Sequence, residues 1–274
     1  MTHDGGNLIL HRLRVDTDPR RRKAVCGPRD RSIDGAPLGL VGRAFIVTII
    51  APCLLVPAHA HAGELSGDVS LSSQLVDRGL AITSATPALQ GAIAWTTPSG
   101  WLLGLSGGLE LRSPDRVAES VARAAHTWTL SENWRIQPDM VYYHYAGRLH
   151  ANVYEPGVYW LYRDILTFGL SGVYIVGEDE HRLHPAADLN FHWPLTGGFS
   201  FSGGLGITRY AVPYGRPPDE GYHTGYYRYG QAGLLWSRGV WQVEIDRVVV
   251  DPGARRYLRR LVASSWLATI SRSF

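Results

Sequence analysis

The feature that most restricts what this chain can become is a rhythm in its connections. Twelve segments of roughly ten residues alternate apolar with small or polar side chains, at about 65–76, 87–97, 100–111, 121–130, 134–145, 151–161, 164–176, 185–194, 198–210, 226–236, 240–250 and 260–274. The connections between them are short and long by turns. Pro98-Ser99-Gly100, Ser131-Glu132-Asn133, Arg163, Leu195-Thr196-Gly197 and Ser237-Arg238-Gly239 are short. Between them lie longer polar stretches at 77–86, 112–120, 146–150, 177–184, 211–225 and 251–259. A period of two puts all apolar side chains of a strand on one face. A tilted strand of about ten residues spans the hydrocarbon of a bilayer. An even number of such strands, with both ends of the chain on one side, has tight turns at one margin and long loops at the other. A soluble sandwich has no reason for that rhythm. The expected fold is all-β, an antiparallel up-and-down transmembrane β-barrel of about twelve strands.

The side chains sort with the same rhythm. Trp101, Leu103, Leu105 and Leu109 alternate with Gly104, Ser106, Gly108 and Glu110, and Leu189, Phe191 and Trp193 alternate with Asp188, Asn190 and His192. Of nine tryptophans, eight lie beside a short turn: Trp95, Trp101, Trp128, Trp134, Trp160, Trp193, Trp236 and Trp241. That placement suits an aromatic girdle at one membrane interface. Tyrosines gather toward the long loops instead, as at Tyr142, Tyr143, Tyr145, Tyr226, Tyr227 and Tyr229. The last strand ends on Phe274, with Arg272, Ile270, Ala268 and Trp266 on the same face. An aromatic terminus behind alternating apolar residues is the expected signal for outer-membrane barrel assembly machinery, carried by Trp266, Ile270 and Phe274. Arg272 departs from that pattern, at a depth where a long cation can snorkel to the interface.

The first 62 residues stand apart. Arg43, the apolar run Ala44 to Pro57 and the small-residue site Ala58-His59-Ala60-His61-Ala62 have the layout of a cleaved secretory signal peptide over 43–62. Residues 1–42 are read either as a disordered basic leader or as upstream sequence from a start assigned too early. Nine of the 27 Lys and Arg and five of the 24 Asp and Glu lie in 1–62, so the formal charge falls from +3 to −1 without them. The apparent basicity is thus a property of the leader, and nucleic acid is not an expected partner. Both cysteines, Cys26 and Cys53, are there too, so the barrel over 63–274 is expected to hold no disulfide.

Catalytic and metal chemistry leave little trace. His144, His184, His192 and His223 have Ser or Asp nearby in sequence, but none belongs to a nucleophile motif. His181-Arg182-Leu183-His184 falls in an expected outer loop, where solvated histidines suit the spacing better than a ligand set. No cofactor is expected, and the chain is not expected to be an enzyme. Arg255-Arg256 and Arg259-Arg260 border an outer loop, where lipopolysaccharide phosphate or plain solvent suits them.

Function then falls to the lumen. Projecting the polar half of each alternation inward gives Asp68, Gln74, Glu110, Arg123, Arg135, Gln137, Asp139, Glu155, Asp188, Asn190, His192, Gln231, Glu244 and Asp246. A wall of mixed sign tilted toward acid suits a narrow pore for small hydrophilic solutes. A filled barrel whose charges pair with one another fits the same list, because twelve strands lie between solid and open barrels. Two other classes stay open: a structural or surface-recognition barrel using loop 211–225, and an outer-leaflet lipid-modifying enzyme. The enzyme needs a His/Ser/acid set at the loop end facing lipid, and sequence alone assembles none.

From Gly67 to Phe274 the chain resembles the TorF family of bacterial porins. Ser72-Ser73-Gln74-Leu75-Val76-Asp77-Arg78-Gly79-Leu80 is similar to the family's S-x-Y-x-x-R-G-[IL] start. Pro87-Ala88-Leu89-Gln90-Gly91, Tyr142-Tyr143-His144-Tyr145 and Ser271-Arg272-Ser273-Phe274 match further elements. Gln74 replaces the family's tyrosine, and the usual Y-x-E-x-Y run is altered over Tyr154 to Tyr159. The resemblance implies an outer-membrane porin without an assigned substrate.

Overall fold

Alternation produces strands here, and the strands close on themselves. The computed structural model describes residues 63–114, 116–146, 150–177, 182–214, 221–258 and 261–274; the expected leader and signal peptide lie outside them. Twelve long strands form the wall: β1 (Glu64–Ser72), β2 (Ala88–Thr96), β3 (Trp101–Glu110), β4 (Val117–His126), β5 (Trp134–Tyr145), β6 (Ala151–Tyr162), β7 (Leu166–Ile175), β8 (His184–Pro194), β9 (Phe199–Tyr214), β10 (Gly221–Arg238), β11 (Trp241–Val250) and β12 (Trp266–Ser273). Each pairs antiparallel with its predecessor and successor. The ring closes between β1 and β12, with Asp68 opposite Ser273 and Leu71 opposite Ile270. Closure removes both sheet edges, which a bilayer core demands of any β structure. Phe274 completes the seam by exchanging backbone bonds with Gly67 in both directions, at 3.0 and 3.1 Å.

Burial follows the period of two. Along β2 the pattern is strict: Ala88, Gln90, Ala92, Ala94 and Thr96 are buried, while Leu89, Ile93 and Trp95 are exposed. The same inversion runs round the ring, with Leu103, Leu105, Phe168, Leu170, Phe201, Leu205, Ile245 and Ile270 on the outside. An apolar exterior of that extent is stable only against an apolar phase. The eight turn-side tryptophans all lie outward or part-buried at one margin, and Trp266 lies at the other. Arg272 meets the turn-side margin, its guanidinium 5.7 Å from the centre of the Trp241 ring.

Several boundaries differ from the sequence reading. β1 stops at Ser72 instead of 76, and β12 begins at Trp266 instead of 260. The expected outer loop 211–225 is largely strand, because β9 and β10 stay paired out to Tyr214 and Gly221. Ile207 is the last β9 residue that meets β8 and Tyr229 the outermost β10 residue that meets β11, so this hairpin continues past both neighbours. The inner face is also less polar than expected. Leu102, Leu161, Leu235 and Leu267 are buried in the lumen among the small and charged side chains.

Candidate functional site

The chain leaves β1 at Ser72 and turns into the barrel. Residues 73–87, expected to include a polar outer loop, bury Leu75, Val76, Leu80, Ala81, Ile82 and Thr83 instead. Val76–Asp77 and Leu80–Ala81 pair as a miniature ribbon across Arg78 and Gly79. Both turn residues have positive φ, 47° and 80°, as a two-residue type I′ hairpin requires. An arginine in that conformation costs about 1–2 kcal/mol, so something must hold it. A Cβ at Gly79 would lie 2.6 Å from Val250 Cγ2, so only glycine lets the tip press against the wall.

What holds Arg78 is a pair of carboxylates across the lumen. Its guanidinium reaches Glu155 on β6, with Nη2 2.5 Å from Oε1 and Nη1 2.9 Å from Oε2, and Asp188 on β8 at 3.0 Å. Glu155 also accepts from Ser171 Oγ at 2.6 Å. All three charged side chains are buried. Burial works against the Arg78 charge, but Asp188, Glu155 and Asp77 more than offset it and raise its pKa well above the ordinary value. Burial pushes the Asp77 carboxyl upward, opposed by Arg78 and by the hydrogen bond from Tyr145 Oη at 2.8 Å.

A second segment seals the plug. Leu258, at the end of the four-residue helix α1 (Arg255–Leu258), and Leu261 pack with Leu75, Leu80 and Ile82 against Val121, Val141, Tyr143, Tyr145, Tyr227, Tyr229 and Val250 of the wall. Backbone bonds join the two segments, Ala81 N to Leu261 O at 2.6 Å and Ala263 N to Gly79 O at 3.0 Å. Gln74 belongs to this joint and not to a strand. Its amide donates to Thr83 O at 3.2 Å, and its carbonyl accepts from Ser264 N at 2.9 Å. The inward tyrosines form the other surface of the plug, with Tyr143 and Tyr145 stacked 5.6 Å apart and nearly parallel. Beside the plug lies a cavity of about 70 Å³ lined by Asp77, Arg78, Glu155, Tyr143, Tyr145, Thr208, Arg209 and Tyr227. That is room for several water molecules.

The other expected lumen residues spread along the wall. Arg123 pairs with Asp139 at 2.8 Å, and both are buried. Asn190, His192 and Asp246 are buried, whereas Asp68, Glu110, Gln137, Gln231 and Glu244 are part-buried. Glu110 accepts from the Thr86 hydroxyl at the foot of the plug, and Glu244 from Ser202 Oγ at 2.9 Å. Arg135 pairs with Asp164 beside a short turn at 2.7 Å, where Asp164 is half exposed. His184, expected in a solvated loop, opens β8 and is buried against Arg209 at 3.1 Å. Glycines make room where wall side chains lie flat: a Cβ at Gly169 would meet the Tyr159 ring at 2.5 Å. Sequence reasoning missed Arg78, Asp77 and Glu119 as lumen groups. Arg78 and Gly79 did carry a signal, the R-G step of the resemblance, but nothing in it told that the step points inward.

No protein-family model matches the chain, and no curated protein matches it. Solved structures do. The KdgM porin aligns over 76% of this chain and 99% of its own length, at 12% identity and a TM-score of 0.48. The NanC porin aligns over 77% and 99%, at 12% identity and 0.47. A membrane protein described in work on in-meso crystallization aligns over 78% and 83%, at 10% identity and 0.50. At such identities the likeness concerns the fold alone, a closed barrel of twelve antiparallel strands as in porins.

Proposed function

We propose that the protein is an outer-membrane channel of the porin type, related to the TorF family, that passes small hydrophilic solutes by a narrow path beside Arg78. The observation that carries this reading is the lining of the lumen. Arg78, Glu155 and Asp188 are held in the barrel by mutual pairing, Arg78 and Glu155 line a cavity of about 70 Å³, and Arg123 and Asp139 form a further buried pair on the wall. Buried charges are costly and need partners, and a wall built of them suits polar cargo better than a solid core does. The apolar exterior and the tryptophan margin suit a membrane-spanning wall with an interfacial girdle. On this reading Trp266, Ile270 and Phe274 form the assembly signal, and Arg255 and Arg256, exposed on α1, meet lipopolysaccharide phosphate. The cleaved signal peptide would direct export.

Conductance tests the proposal. The refolded chain in a planar bilayer is expected to show small, ion-selective steps, and replacing residues 75–83 by a short Gly-Ser linker is expected to enlarge them several-fold. Silence in both proteins would remove the channel reading. It would favour the second one, a sealed structural or recognition barrel, for which the apolar plug of Leu75, Leu80, Ile82, Leu258 and Leu261 speaks.

A further inference from the structure

The exterior of the barrel holds a polar row that the lumen does not explain. On β4, β5 and β6, Ser120 stands directly opposite His144, and His144 directly opposite Asn152. Ser120 and His144 are exposed and Asn152 is part-buried, while Glu119 and Tyr143 beside them are buried, and Ala151, Val153 and Glu155 on the alternate face of β6 line the lumen cavity. All three therefore face outward. Other outward positions on these strands are Ala122, Ala124, Met140 and Tyr154, as a lipid-facing wall requires. The row lies at the loop margin, one residue before the end of β5 and one after the start of β6.

The chemistry of the row is directional. His144 Nδ1 lies 2.7 Å from Asn152 Oδ1. An amide oxygen only accepts, so Nδ1 carries the proton, and in the neutral tautomer this bond selects Nε2 keeps its lone pair. Tyr142 Oη donates to the same Oδ1 at 3.1 Å and packs its ring, tilted, 4.9 Å from Tyr154, which fixes the amide in place. Strand order puts Asn152 on one side of His144 and Ser120 on the other. Directly opposed side chains have Cβ atoms about 5 Å apart, so a χ1 rotation of serine brings Oγ within hydrogen-bond reach. A nucleophile, a base and a group that orients the base form the constellation of acyl-transfer sites, and it is recognised by roles and not by order in the chain.

We propose that this row is an ester-hydrolysing site for acyl chains of membrane lipids. It rests on the membrane placement of the barrel but not on conductance, since it faces away from the lumen. Ser120 Oγ attacks the ester carbonyl and forms the acyl bond, passing its proton to His144 Nε2. The carbon–oxygen bond to the lipid alcohol breaks, and Nε2 gives the proton to that leaving oxygen. Water then attacks the acyl-serine with Nε2 taking its proton, the carboxylic acid leaves, and the proton returns to Ser120. Asn152 is a positioning residue. The position at the loop margin matches the interfacial depth of lipid ester groups, which lie between headgroup and hydrocarbon.

A fluorophosphonate probe, which bonds covalently to activated serines, tests the site in the full folded chain reconstituted in lipid vesicles. Mass spectrometry is expected to place the label on Ser120, and a nitrophenyl ester of a medium-chain acid is expected to be hydrolysed. Ser120→Ala should abolish the labelling. His144→Gln should slow it by roughly 10²-fold or more, the share usual for a general base. Asn152→Ala should slow it as well, and Asn152→Asp should restore it, which a purely structural pair would not do. Each variant is checked for heat-modifiable migration, the mark of a closed barrel. Absence of label from Ser120 in the folded wild type, or equal labelling in His144→Gln, would overturn the proposal, whatever the conductance.

Discussion

The two ends of the lumen are built on different principles. Toward the short turns the interior is a lining: small wall residues such as Ala92, Ala94 and Ala125 pack with Leu102 on the inner face of the strands. Toward the long loops it is a core, in which one inward segment packs its own leucines and isoleucine against wall tyrosines and valines. Ion pairs differ in the same sense. Arg78 is buried between Glu155 and Asp188, whereas Arg135 meets Asp164 in the open beside a turn. The lesson is that the wall needs only the barrel to be stable, while the plug needs interactions that cross the lumen. Disturbing the plug should change permeation and local stability and leave the barrel closed.

The largest effect is expected at Arg78. Arg78→Ala leaves Glu155 and Asp188 buried without their cation, and breaking a buried pair in this way costs about 3–5 kcal/mol. Because the plug opens locally, the loss should appear in hydrogen exchange. The Ile82 amide, bonded to Leu75 O, should exchange faster by roughly 10² to 10³-fold, with larger and noisier channel steps. Unchanged exchange would show that the plug is held by its apolar core alone.

Ile82→Ala asks the complementary question. Ile82 is fully buried among Leu75, Leu258 and Tyr143, and truncating such a residue costs about 2–5 kcal/mol. The same amides should lose protection without the selectivity change that follows loss of a charge. Gly79→Ala comes next. It places a methyl at φ +80° and 2.6 Å from Val250 Cγ2, for about 1–2 kcal/mol from the backbone alone; native-state proteolysis at the tip should report it.

The contrast between the two ends also explains what the sequence made legible. Strand number, loop rhythm and tryptophan margin are local properties, written in period-two alternation and turn composition, and they could be read residue by residue. The plug could not. Leu75, Val76, Leu80 and Ile82 are apolar in a strand-like spacing, and apolarity does not distinguish burial in a lumen from exposure to lipid. The turn that reverses them uses Arg78 where an asparagine or glycine would have announced a type I′ hairpin. Its partners Glu155 and Asp188 stand 77 and 110 residues away, so no spacing rule links them. The outward row fails for the same reason: Ser120, His144 and Asn152 become neighbours only through strand register. Gln74, placed on a strand by alternation, sits two residues beyond the end of β1, where inward burial of the next segment converts it into a clamp.

Arg135→Ala gives the smallest expected effect and sharpens the comparison most cleanly. Its distance to Asp164, 2.7 Å, is as short as those in the plug, so geometry alone would rank the two sites as equals. Solvent decides otherwise. With Asp164 half exposed and Arg135 a quarter exposed, water and salt screen the pair, and exposed pairs contribute about 0–1 kcal/mol. The deletion should leave urea unfolding in micelles and exchange of the Ile82 amide unchanged within error, and raising salt should erase what difference there is. A loss comparable to that of Arg78→Ala would mean that the turn-side rim is as enclosed as the plug, and that the two ends of the lumen are built alike.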